Sequence, residues 1–152
     1  MFFHSYQKSR INLKKKDTEI MYRDELFQKL SMNVDDVFLM LDAQTYQTDY
    51  VSPNAEKLLG ITVEQIRKDI CVLRKLHPAD SEDSQKNHLK EIPVHEQQEW
   101  DCEFIHRKTG ERRWFHNIAM GSEVNGEKKY ILVMSDRTAD WKMNQALSEA
   151  VH

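Results

Sequence analysis

The sequence predicts an α+β fold, an antiparallel sheet with short helices gathered over one face and a longer helix at either end. Three observations carry that prediction. Five segments read as strands, by unbroken apolar runs or by two-residue alternation. Short, well-capped helical segments separate the second strand from the third. The last three strands are joined by two tight turn sequences, which fit consecutive antiparallel pairing and so an α+β layer arrangement.

The first strand is Val37-Phe38-Leu39-Met40-Leu41, an unbroken apolar run that predicts a strand covered on both faces. A polar turn at 42–45 leads to the second, Thr48-Asp49-Tyr50-Val51. Pro53 stops it, because proline has no N–H to give to a ladder. The segment Ala55 to Leu59 then reads as a short helix, with Asn54 as its N-cap and Gly60 as the left-handed residue that ends it. Thr62-Val-Glu-Gln65 has the spacing of a capping box for the next helix, with Ile61 and Ile66 placed as a hydrophobic staple. The stretch HPADSEDSQKNHLKEI, residues 77–92, predicts a loop and then a mostly exposed helix that turns Leu89 and Ile92 inward.

From Trp100 the period becomes two. Trp100, Cys102 and Phe104 alternate with Asp101 and Glu103, as in a half-buried strand. Lys108-Thr-Gly-Glu111 turns the chain into a strand from Arg112 to Met120. Asn125-Gly126, the pair preferred where both central turn residues need positive φ, turns it again. Tyr130 to Met134 is apolar on both faces and is therefore expected at the centre of the sheet.

At 152 residues the chain fits one domain with extensions, and such a domain buries roughly 68–70% of its unfolded surface, enough for a real core. Lys plus Arg, 22, nearly balance Asp plus Glu, 25, and the net charge of −3 argues against a nucleic-acid partner. The two cysteines, Cys71 and Cys102, are too few for a disulfide framework or a cysteine-rich zinc site, which fits a reducing, cytoplasmic setting. No apolar run approaches a bilayer span. Three regions follow: a basic and then amphipathic lead-in over 1–34, with Tyr22, Leu26 and Leu30 at helical spacing; the domain over 35–137; and the start of a helix over 138–152. The lysines at 14–16 read either as a solvated lead-in or as the segment just inside an upstream membrane anchor, where they would meet anionic headgroups.

Four pieces of this pattern, in order, resemble the PAS domain with its C-terminal PAC segment: YVSPNAEKLLG after a strand, LHPAD, EFIHRKTGERRWF across the first hairpin, and YILVMSDRTADWK at the end. The likeness covers about residues 25–145. It implies a five-stranded antiparallel sheet and a role in sensing and relaying signals. In that family the last strand runs into Asp-Ile-Thr, whose Asp and Thr fix the junction to an output helix. Here the three residues are Asp136-Arg137-Thr138, so the Asp and Thr match and the apolar middle residue does not. Thr138 is a fitting N-cap, and Asp136 has Arg112 or Arg113 as a partner, with Trp114 beside them; Asp136, Thr138, Arg113 and Trp114 make up the expected relay junction. The end of the chain resembles the linker to the helices of sensor histidine kinases, hybrid types among them. Met143, Leu147 and Ala150 there repeat as in the first turns of a coiled coil, which implies a homodimer through the flanking helices and a downstream kinase as partner. A cyclic-dinucleotide synthase as output, and a dimerisation module that senses nothing, are the alternatives.

Catalysis is not expected of this chain. Its four glycines form no phosphate cradle, and no histidine has the surroundings of a phosphoacceptor. No metal site is expected. Cys71, in Asp-Ile-Cys-Val-Leu, does not match the motif of flavin-adduct PAS domains, and His88, in Lys-Asn-His-Leu-Lys, reads as a solvated residue where a haem ligand would stand, so neither flavin nor haem is expected. His77 is expected to make a loop hydrogen bond, His116 to pack, Cys102 to lie in the core, and Trp100 and Trp114 to act as anchors. If a small molecule binds, the resemblance puts it between the inner sheet face and the short helices, against Phe104, Ile118, Leu132 and Met134.

Overall fold

The computed structural model describes residues 34–79, 81 and 87–151. The expected lead-in helix therefore lies outside the described residues. Five strands form one antiparallel sheet: β1 (Asp36–Asp42), β2 (Thr48–Val51), β3 (Gln97–Ile105), β4 (Arg112–Val124) and β5 (Glu127–Asp136). Their order is β2-β1-β5-β4-β3, which puts β5 in the centre, where its two apolar faces belong. β2 and β3 are the two edges, so the chain between them has to cross the whole sheet. That crossing carries α1 (Ala55–Leu59), α2 (Val63–Lys68) and a 3₁₀ helix (Ile70–Leu76). Leu58, Leu59, Ile61, Ile66 and Leu76 from the crossing form one buried cluster with Val37, Leu39, Leu41, Phe104, Phe115, Ala119, Leu132 and Met134 from the sheet. The last element, α3 (Thr138–Val151), leaves the end of β5.

Local chemistry accounts for most of these boundaries. Thr62 and Gln65 close the capping box in both directions, at 2.9 and 3.1 Å, over the buried staple of Ile61 and Ile66. Asn125 and Gly126 both take positive φ, 53° and 80°, as a two-residue hairpin turn demands. At the β1–β2 turn, backbone N–H groups of Thr45 and Gln44 hold the Asp42 carboxyl down to about 2, helped by Lys129. Gly60 ends α1 at φ 78°. It also lies so close to the next hairpin that an added Cβ would fall 2.7 Å from the His106 ring and 2.8 Å from the Arg107 nitrogen.

Three expectations need correction, and one element is additional to them. β1 is not covered equally on both faces: Val37, Leu39 and Leu41 are buried, whereas Phe38 and Met40 on the opposite face are half-buried, because the helical crossing lies on one side only. Asn54 does not cap α1 through its side chain. Its Nδ2 donates instead to the Val34 and Asp36 carbonyls, at 2.9 and 2.6 Å, and its Oδ1 accepts from the Ser52 hydroxyl at 2.7 Å, so it ties the crossing to the start of β1. Residues 70–76 form a separate 3₁₀ helix begun by Asp69, whose Oδ1 accepts from the Cys71 N–H. Finally, the described residues of the helix expected before Ile92 are a turn at 88–91, with Leu89 half-buried and Ile92 buried as expected.

Candidate functional site

Two sites share β4. The first is the junction with α3. Antiparallel register sets Phe115 opposite Asp136, so the residues on either side of that pair meet at the point where β5 ends. Arg113 Nε donates to Asp136 Oδ2 at 2.7 Å, and the Asp136 side chain is only 4% exposed. The other carboxylate oxygen accepts from the Thr138 N–H at 2.9 Å and from the Thr138 hydroxyl. That hydroxyl in turn accepts from the Trp114 N–H at 2.9 Å, while the Arg137 N–H donates to the Trp114 carbonyl at 2.7 Å. The sheet ladder thus continues into the first turn of α3. On the outer face the Trp114 ring stacks on Trp141 of α3, with centroids 4.5 Å apart.

All four residues expected at the junction meet there, with one change of role. Thr138 is not the N-cap; it is the first residue of the helix, and its hydroxyl is used across to β4, so Asp136 is the side chain that accepts from the helix N-terminus. Of the two candidate arginines, Arg113 takes Asp136, and Arg112 pairs with Glu103 at 3.3 Å. Arg137, standing where an apolar residue was expected, is exposed and lies 3.8 Å from Asp140.

The second site is a cavity of about 200 Å³ between the sheet and the crossing. Its floor is Trp100, Phe104, Asn117, Leu132 and Met134, and its roof includes Ile70, Leu73, His77, His88 and Leu89. Phe104, Leu132 and Met134 therefore line it. Ile118 does not, because it shares the outer face of β4 with Trp114 and His116, while Phe115, Asn117 and Ala119 point inward.

Two histidines differ from their reading. His88 is not solvated: its ring lies flat on Trp100, with centroids 4.2 Å apart and planes 7° from parallel. His116 pairs rather than packs, with Nδ1 2.6 Å from Asp101 and Nε2 3.5 Å from Glu99. His77 makes the loop contact, 3.3 Å from the Glu103 carbonyl, and Cys102 is buried. Cys71, an exposed residue, lies on the cavity wall.

Two further residues are placed by the structure alone. Asn117 is polar at an inward position between Phe115 and Ala119, a break in the alternation that the sequence does contain. His106 is buried; its Nε2 donates to the Lys57 carbonyl at 3.0 Å, while Nδ1 accepts from the Lys108 and Thr109 N–H groups, so the ring fastens the β3–β4 turn to α1. Among the described residues no cluster of ligands could hold a metal ion, and no helix is long and apolar enough to cross a membrane.

A family model described as PAS fold matches residues 48–134, more than half of the chain. No curated protein matches it. Among solved structures, a PAS domain of an HTR-like protein from Haloarcula marismortui superposes with a TM-score of 0.60 at 18% identity, covering 81% of this chain and 98% of that one. The N-terminal domain of a diguanylate cyclase with PAS/PAC sensor from Marinobacter aquaeolei gives 0.54 at 22% identity, covering 69% and 97%. A domain of a putative light and redox sensing histidine kinase, also from Haloarcula marismortui, gives 0.55 at 13% identity, covering 74% and 97%.

Proposed function

The chain belongs to the PAS fold family, and from that premise we propose that it is a sensory domain whose sheet passes its state to an output domain through α3. The observation that carries this reading is the junction. Trp114, Arg113, Asp136 and Thr138 join β4, β5 and α3 by hydrogen bonds that leave the carboxylate and hydroxyl oxygens fully engaged. A shift of β4 against β5 has to move the first turn of α3. The output we propose is a histidine kinase in two-component signalling, supported by the C-terminal linker sequence and by the histidine-kinase domain among the structural neighbours. The cyclase neighbour supports a cyclic-dinucleotide synthase as the second reading.

The further parts of the proposal follow from the surface. Met143 and Leu147, 65% and 60% exposed, lie one turn apart on α3, and a second copy of the helix would cover them in a homodimer. Chemistry on this chain, a nucleic-acid partner, haem and flavin have no part in the proposal. A cytoplasmic setting, with an anchor upstream in the parent protein, is its proposed location.

The test is Thr138→Val in the full-length parent. It keeps the shape of the side chain and removes the hydroxyl that bridges Trp114 and Asp136. Basal output, read as autophosphorylation, is expected to change several-fold while the domain stays folded by circular dichroism. Unchanged output from a folded variant would overturn the relay.

A further inference from the structure

The outer face of the sheet is apolar where a solvated face is ordinarily polar. Register sets two rows of three side chains across β1, β5 and β4: Met40, Ile131 and Met120 in one, Phe38, Val133 and Ile118 in the other. All six are half-buried and lie on the side opposite the inward, buried set. A polar row bounds this block at either end, Asp36 with Ser135 and His116 at one, Asp42 with Lys129 and Ser122 at the other. An antiparallel sheet that turns one face to water alternates apolar and polar residues along its strands. Over this block the three strands are apolar on both sides, as a face that meets a partner is. α3 takes one corner of it, where Trp141 stacks on Trp114.

The sequence that enters β1 has the chemistry of a cover. Tyr22, Leu26 and Leu30 recur at helical spacing, with Phe27 beside them. A helix over 18–30 is about 20 Å long and about 10–12 Å wide. Those dimensions match the face. β1 has seven residues, about 20 Å from its first Cα to its last, and β1 to β4 is two strand spacings, about 9.5 Å. Residues 31–35 are enough to turn the chain back, and so short a tether holds the segment over its own sheet at high effective concentration, an advantage that a second copy lacks. Folded back along β1, the segment brings Lys14, Lys15 and Lys16 to the row of Asp42. There one ammonium, that of Lys129, is shared by three carboxylates, Asp42 at 3.3 Å, Asp49 at 2.8 Å and Glu127 at 3.3 Å, which leaves that end of the face net negative. We propose that residues 18–30 dock as an amphipathic helix on the outer face of their own sheet, with Tyr22, Leu26 and Leu30 on the two apolar rows and the lysines at 14–16 beside Asp42, Asp49 and Glu127. The assignment does not rest on the sensory reading above.

Paired cysteines in the full chain, with Cys71→Ser as background, test the docking. Leu26→Cys with Val133→Cys is expected to oxidise to a disulfide within one chain, read by mass spectrometry on a mixture of isotope-labelled and unlabelled protein. Gln28→Cys with Val133→Cys, from the other side of the helix, is expected to give none. Hydrogen exchange supplies a reading that needs no cysteine: the amides of 18–30 are expected to exchange at least about tenfold more slowly than in an unstructured chain. Ile131→Asp, checked as folded by circular dichroism, is expected to abolish that protection, and Lys14→Glu, Lys15→Glu and Lys16→Glu together to lower it several-fold. Disulfides formed only between chains would hand the face to a second copy and overturn the assignment. Exchange at unstructured rates, protection that appears only with phosphatidylglycerol vesicles present, or protection unaltered in a folded Ile131→Asp would overturn it as well. Protection unaltered by the three lysine replacements would overturn the place given to the basic run.

Discussion

Trp114 and Asn117 stand three residues apart on β4 and face opposite sides of the sheet, and their surroundings differ in kind. Around Trp114 every donor and acceptor of the Asp136 and Thr138 side chains is engaged, and the ring is stacked on Trp141. Around Asn117, which belongs to the cavity lining, a buried carbonyl oxygen accepts no hydrogen bond among the described residues. A fully satisfied network rigidifies the elements that it joins, whereas a buried polar atom without a partner costs stability. The difference separates two surroundings on one strand: one part of β4 floors the cavity, and the other is tied by hydrogen bonds to the first turn of α3. β5 connects them, since Asn117 lies opposite Met134 and Phe115 opposite Asp136.

The strongest way to break the contrast is at its saturated end. Asp136→Ala removes the partner of Arg113 and the acceptor of the Thr138 N–H at once. Because the Asp136 carboxylate is nearly buried while Arg113 is a quarter exposed, the expected loss is about 2–3 kcal/mol, below the figure for a fully buried pair. Urea unfolding followed by far-UV circular dichroism measures it. A loss under about 0.5 kcal/mol would mean that the junction is held by something other than these hydrogen bonds. Trp141→Ala is gentler: it removes a stacked partner that is itself partly exposed and should cost about 1 kcal/mol. The near-UV signal of the Trp114–Trp141 pair should disappear with it, and hydrogen exchange in the first turn of α3 should rise.

How far the sequence foretold the two ends depends on the range of the interactions. The capping box of Thr62 and Gln65 and the turn at Asn125-Gly126 were legible because their partners lie within three residues. The junction was legible because Asp136 and Thr138 are close in sequence and a resemblance supplied the role. Asn54 reads locally as a cap because its partners, Val34 and Asp36, are twenty and eighteen residues away, and local rules favour the nearest N–H. Ile118 was placed in the pocket on apolarity alone. On β4 the outer set, Trp114, Ile118 and Met120, is as apolar as the inner one, so hydrophobicity could not choose the face. The polar Asn117 within the inward set was the informative residue, since strand parity with Phe115 and Ala119 fixes its side.

The smallest expected effect has the opposite sign, and it sharpens the contrast most. Asn117→Leu replaces an amide whose oxygen is unpaired with a side chain of similar size that suits the walls of Phe104, Leu132 and Met134. It gives up the weak contacts of Nδ2 to the Trp100 carbonyl and Cys102 sulfur, at 3.4 and 3.1 Å. Removing an unsatisfied buried polar group is neutral or stabilising when the replacement fits, so the ligand-free domain should gain up to about 1 kcal/mol. That corresponds to about 2–4 °C in midpoint for a chain of this size, readable in a thermal melt. A clear loss of stability in Asn117→Leu would show instead that the amide is a structural bracket between β3 and β4. The two parts of β4 would then be alike, each held by its hydrogen bonds, and the contrast between them would fall.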